Sequence, residues 1–196
     1  MELFRMDSWM DNAKWFVVAG CVAVNIAVGQ LVSVLNLPVF LDTIGTILAA
    51  LLMGPWMGMI TGLGANLVWG MFSGFPAEVF APVSMVIGLS AGYLGRRGLF
   101  RSLPRVLVSG ILVSIVATLV AAPFRTYFFD GVPGSETEFL AAYLGAAGQW
   151  LSRSAAWAVV GTNLIDKVLS CAIAWGIVKG VPRRIRAQFP DGCRVD

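Results

Sequence analysis

The sequence predicts an all-α membrane protein of six transmembrane helices, one membrane domain over residues 1–196 with both ends on the cytoplasmic side. Three observations predict it. Hydrophobic residues make up 58% of the chain and charged ones only 13%, a balance foreign to ordinary soluble domains. The apolar residues gather into six segments, at about 15–35, 42–53, 56–72, 77–94, 105–124 and 155–179, joined by short connections that leave no room for a soluble catalytic domain. Basic residues crowd two places, Arg96, Arg97, Arg101 and Arg105 before the fifth segment and Lys179, Arg183, Arg184 and Arg186 after the last, and the positive-inside rule assigns both to the cytoplasm. Six crossings then keep the N-terminus inside.

The first span carries Ala19, Ala23 and Ala27 four residues apart on a helix otherwise covered with Val and Ile. Small residues at that spacing let another helix approach, either within the bundle or from a separate membrane protein. The opening fifteen residues lack the basic, apolar and small-residue pattern of a signal peptide. In the next two spans the run from Asp42 to Phe72 is interrupted by Gly54-Pro55. Glycine suits a helix end and proline the first turn of the next helix, so the run predicts two helices joined by a tight cytoplasmic turn. About 12 residues make only ~18 Å of helix, short of the ~30 Å hydrocarbon core. The first of the pair therefore needs shielding, with 37–41 completing the crossing where it lines a cavity. Short spans in transporters mark binding sites. Gly58 and Gly62 in the third span and Ser84, Gly88 and Gly92 in the fourth are further small-residue stripes, read mainly as packing within the bundle. Residues 138–151, rich in Ala and Gly but broken by Gln149, read as a helix at the membrane surface or an extension of the last span.

Several chemistries are excluded. The chain has no histidine, hence no His-based zinc site or proton relay, and no phosphate-binding loop. Cys21 and Cys171 fall in apolar spans and Cys193 in the basic tail, a spacing that suggests neither disulfide nor metal cluster. No catalytic residues, cofactor or nucleic-acid partner are expected, and any ATP hydrolysis must occur on another chain.

Polar groups at membrane depth need a partner or a purpose. Asn25, Gln30, Asn66, Asn163, Asp166 and Lys167 are such groups. Asp166 lies midway along the last span, where a charge costs roughly 2.5–3.5 kcal/mol; it faces the interior, as half of a structural pair or as a ligand group. Lys167 is about 100° away on the helix, so the two are not expected to face one pocket centre, and Lys167 extends toward the cytoplasmic interface. Asp42 reads as an N-cap and Glu78 as a first-turn acid complementing the helix dipole. Both also lie at the external mouth, with Arg125, Gln149, Trp150 and Arg153. Trp69, Trp150 and Trp157 sit at the outer side, as an aromatic belt or for stacking on a planar ligand.

Taken together, the six spans, the Ala19-Ala23-Ala27 stripe, the segment "LPVFLDTIGTILAALLMGPWMGMITGLGANLVWG" and the segment "NLIDKVLSCAIAWGIVKGVPRR" resemble the substrate-binding S components of energy-coupling-factor (ECF) transporters over nearly the whole chain. The Gly54-Pro55 hairpin is the most specific piece. The resemblance implies an S-component-like six-helix bundle in a bacterial-type cell membrane. It implies high-affinity capture of a vitamin or similar micronutrient at the external side, and a transmembrane coupling protein and two ATPase subunits as partners. By the same resemblance Ala19, Ala23 and Ala27 face the coupling protein. The ligand lies among the outer helix ends, near Asn66, Trp69, Glu78, Arg125, Gln149, Asn163 and Asp166, chosen by depth and polarity. Metal-transporting members use an N-terminal histidine, which this chain lacks, so an organic cargo is expected. The competing readings are a membrane ligand sensor and a stand-alone small-solute carrier; an intramembrane enzyme ranks last.

Overall fold

The computed structural model of the chain describes residues 2–35, 37, 39–73, 78–129, 151–189 and 192–193. Among them the regular elements are all helices: α1 (Glu2–Val34), α2 (Ile44–Met53), α3 (Pro55–Ser73), α4 (Ala81–Arg96), α5 (Leu103–Phe129), α6 (Leu151–Gly180) and the single turn α7 (Arg183–Arg186). Each of the six apolar segments corresponds to one of the first six helices. Two of them, at Ala13–Val34 and Leu103–Phe124, are long and apolar enough to cross a membrane on their own. The others are diluted by glycines and polar side chains or, in α2, are only ten residues long.

α2 is the hub. It packs against α1, α3, α4 and α6, and eight of its ten residues are buried. On one side Ile47 and Leu51 join Ile87, Val106, Val113 and Val178 in the main core. On the other, Ala49 and Met53 meet Val18 and Cys21 of α1. The fit is close enough that a Cβ on Gly45 would overlap the backbone carbonyl of Cys21, so only glycine permits this approach of α1 to α2.

The α2–α3 junction is a single residue. Gly54 has φ 96°, a backbone open to glycine and strained for L side chains, and Pro55 starts α3, where its missing N–H costs nothing. Gly54 donates its N–H to the Ala50 carbonyl, 3.0 Å away, which closes α2. Gly54→Ala is expected to cost about 1–3 kcal/mol, read as a lowered melting temperature of the purified chain. The two small-residue stripes prove to be one seam: Gly62 meets the backbone at Ser84, Gly88 meets Gly58, and Gly92 meets Pro55. α3 and α4 thus touch backbone to backbone.

The end bearing Gly54-Pro55, hereafter the hairpin end, is closed by the C-terminal tail. Cys193 donates its backbone N–H to the Leu51 carbonyl at 2.8 Å, and its thiol faces the carbonyls of Gly92 and Ala50 at 3.4 and 3.8 Å. Phe189 is buried among Val18, Ala49 and Met53. The tail therefore satisfies the Leu51 carbonyl, which the end of α2 leaves open. Burial pushes the Cys193 thiol up to about 11, outweighing the opposite pull of nearby Arg96, and keeps it protonated as a donor.

Two local expectations are corrected. Asp42 is not an N-cap: Thr43 holds that position, without a side-chain capping bond, and Asp42 is turned into a charge cluster instead. Glu78 is helical, with Val79, in a piece of helix that precedes Phe80, the N-cap of α4; where that piece begins lies outside the described residues. Lys167 does not reach away from Asp166 but pairs with its carboxylate. The proposed surface helix at 138–151 lies outside the described residues, apart from Leu151, which begins α6.

Candidate functional site

Between α1 and α2 the described residues 35, 37 and 39–43 are non-helical. Because α1 runs on to Val34 while α2 docks by Gly45 against Cys21, the connection doubles back into the bundle and sets a polar floor at mid-depth. Non-helical backbone at such depth survives only where protein satisfies its N–H and C=O groups. Two side chains do so. Asn25 of α1 accepts the Gly45 N–H at 2.6 Å and donates to the Thr46 hydroxyl at 2.8 Å. Asp166 of α6 accepts the N–H groups of Phe40 and Leu41 on one carboxylate oxygen, at 3.1 and 2.6 Å. Leu41 has φ 50°, which is costly for a residue with a Cβ, and the Asp166 bond holds it there.

The other Asp166 oxygen pairs with Lys167 at 2.5 Å. Lys167 also donates to Thr43 at 3.2 Å and stands 3.6 Å from Asp42, while Thr43 bonds Ser170 at 3.5 Å. Asp166 is fully buried and the Lys167 side chain 5% exposed. The 100° between them does not separate them, since the aspartate reaches down to backbone and the long lysine chain bends across the same segment. Asp42 closes the cluster with a side chain 44% exposed. Its Oδ1 atom is buried without a hydrogen-bond partner.

The remaining predicted site residues distribute around this floor. Trp69, half-buried near the far end of α3, packs its ring over Gly29: a Cβ there would stand 3.4 Å from the ring and 3.5 Å from the Asp42 Cβ. Trp69 and Asp42 are thus neighbours across one glycine. Glu78 is exposed and lays its side chain across Gly70, the residue after Trp69. Asn66, one turn deeper, donates to the Phe80 carbonyl at 3.2 Å and to Ser84 at 2.5 Å, tying α3 to α4. Asn163 is buried and turned toward Thr118 of α5, 3.5 Å away. Arg125 is carried by α5 beyond Pro123, its side chain outside the described set, and Gln149 lies outside the described residues altogether. The structure therefore sets Asp42 beside Trp69 across Gly29 and beside the Asp166–Lys167 pair, places Glu78 against Gly70, and leaves Asn66 and Asn163 in helix-to-helix ties. Thr43, Ser170 and Gly29 were missed, because isolated Ser, Thr and Gly in apolar runs carry no signal of their own. Ala19, Ala23 and Ala27 share an exposed face of α1 with Gly20, which has nothing within 4 Å of its would-be Cβ. Among the described residues no group of histidine, cysteine and acids is arranged to hold a metal.

Comparison with known proteins adds one finding. The family model described as "ECF transporter, substrate-specific component" matches residues 17–181. No curated protein and no solved structure matches the chain.

Proposed function

Because the chain belongs to the family of ECF transporter substrate-specific components, we propose that it is the high-affinity substrate-binding subunit of an ECF-type ABC importer for a vitamin or related small organic micronutrient. It works with a transmembrane coupling protein and two ATPase subunits. The observation that carries this reading is the family match, which runs from within α1 to the end of α6 and so includes the whole polar floor. The bundle crosses a cell membrane six times with both ends in the cytoplasm. Apolar side chains on the outward faces of α1, α5 and α6, among them Phe16, Leu31, Ile115, Leu119, Ile173 and Ile177, support immersion in hydrocarbon. The basic residues of the α4–α5 connection and of the tail fall at the hairpin end, which the positive-inside rule makes cytoplasmic. The opposite, external mouth holds the ligand above the re-entrant floor, with Trp69 and Glu78 at its side. Arg125, Gln149 and Asn163 are further contributors, and Asn66 and Asp166 shape the walls.

The test is co-purification. The chain is isolated from cells grown in rich medium, alone and with co-expressed coupling and ATPase subunits, and released small molecules are identified by mass spectrometry. Assembly with those subunits and retention of an organic molecule are expected; failure of both sinks the proposal. The exposed alanine face is the docking surface for the coupling protein. Ala23→Leu is expected to weaken assembly at least tenfold while leaving ligand retention unchanged, because a bulky side chain blocks close helix approach. Unaltered assembly would remove this face from the interface.

A further inference from the structure

α5 and α6 lie against each other at Gly110, where a Cβ would overlap the Val168 backbone. Residues three, four and seven apart share a helix face, which carries that contact along both helices. On α5 the stripe runs back through Leu107 to Leu103, and on α6 it runs forward through Ala172 and Trp175 to Lys179. At the hairpin end the two stripes do not close on each other, since Leu103 stays 49% and Leu107 40% exposed. Trp175 packs against the main core, yet its indole Nε1 is buried with no hydrogen-bond acceptor. The Lys179 ammonium lies over that ring, 4.5 Å from its centre, and no carboxylate pairs with it among the described residues. A buried donor without an acceptor is rare in a folded protein and points to a partner from outside the chain. The surroundings set that partner's charge: residues 96–105 and 179–186 each carry four cations and no acid. They also set its other half. Leu103 and Leu107 continue into the outward apolar face of α5 at Ile111 and Ile115, so a group that meets Lys179 also meets surface turned to hydrocarbon.

On the reading that the hairpin end lies in the cytoplasmic leaflet, we infer that this flank of α5 and α6 binds one anionic phospholipid. Its phosphate sits against the Lys179 ammonium and supplies the acceptor that the Trp175 N–H lacks, while its acyl chains run along Leu103, Leu107 and Ile111. The face of the Trp175 ring holds the ammonium at the edge of the hydrocarbon, and the surrounding arginines draw anionic lipid toward it. A zwitterionic lipid with the same chains brings no net charge to these cations. An acidic segment of a soluble partner would meet the charges but has nothing to lay on the exposed leucines.

Native mass spectrometry of the delipidated full chain in detergent, titrated with dioleoyl phosphatidylglycerol or dioleoyl phosphatidylcholine, tests this by counting bound lipids. About fivefold tighter retention of the glycerol lipid is expected, the weight of one cation at a charged membrane surface. Lys179→Gln is expected to abolish that preference, Trp175→Phe to reduce it and Lys179→Arg to keep it. Arg97→Gln, at the end of α4 and exposed in the same basic region, is expected to leave it unchanged. Equal retention of the two lipids overturns the inference, as does an equal loss in the Arg97→Gln and Lys179→Gln chains, the mark of a diffuse basic surface. Soluble glycerol 3-phosphate is expected not to displace the lipid; displacement would refute the part given to the leucines. A Lys179→Gln chain that keeps its lipid but assembles less well with the coupling and ATPase subunits would assign the flank to a protein instead. Failure here is distinct from failure of the transporter reading: a chain that assembles with those subunits but holds both lipids equally refutes the lipid site and leaves the importer standing.

Discussion

Replacing Asp166 by Asn is expected to cost about 3–5 kcal/mol of folding stability, the usual penalty for removing one partner of a buried pair. Asn is nearly isosteric and its carbonyl oxygen can still accept the Phe40 and Leu41 N–H groups. What it loses is the charge opposite Lys167, and its amide then points N–H groups at an ammonium. Among the described residues the buried lysine is left with only the more distant Asp42 as an acid partner. Thermal unfolding of the purified protein measures the loss. Lys167→Met in the same chain is expected to recover most of it by removing the stranded charge, leaving Asp42 to the solvent its side chain already meets. A single Asp166→Asn chain within about 1 kcal/mol of the parent would mean that Lys167 is neutralised by something other than Asp166.

The second large effect is expected at Gly45. Alanine there adds one methyl group, but it falls on the Cys21 backbone carbonyl rather than on the end of a yielding side chain. α1 and α2 must then separate, and with them the Asn25 bonds to Gly45 and Thr46. A cost of about 3 kcal/mol, the upper end for overpacking, is expected in the same unfolding measurement. Gly20→Ala on the outward face of α1 is the matched control, since its new methyl meets nothing within 4 Å. Equal melting of the two variants would contradict the close approach at Gly45.

Much of this architecture is legible in the residues. Gly54-Pro55 announces a helix break because each residue has a backbone property the junction requires, and the Gly58, Gly62, Gly88 and Gly92 stripes announce backbone contact by the absence of anything else to pack. These are local signals, and they survive without knowledge of neighbours. The floor was not legible. Asp166 and Lys167 were separated on a helical wheel, which asks whether two side chains point to one spot, whereas their shared target is a length of non-helical chain some 125 residues earlier. Asp42 reads as a cap because it precedes a helix, yet the capping position fell one residue later. The docking of the tail escaped for a similar reason: Phe189 and Cys193 are isolated among basic and polar residues, and only the fold shows that the end of α2 has carbonyls to satisfy.

That docking also bears on the order in which the molecule is completed. α2 is made before most of the groups that fix it: Asn25 precedes it, Asp166 follows at a distance, and Cys193 follows α6. During synthesis the short helix can lean on α1 at once, but its start stays unpinned until α6 emerges, and the Leu51 carbonyl stays open until Cys193 follows. The hub of the bundle is thus translated well before the segments that lock it.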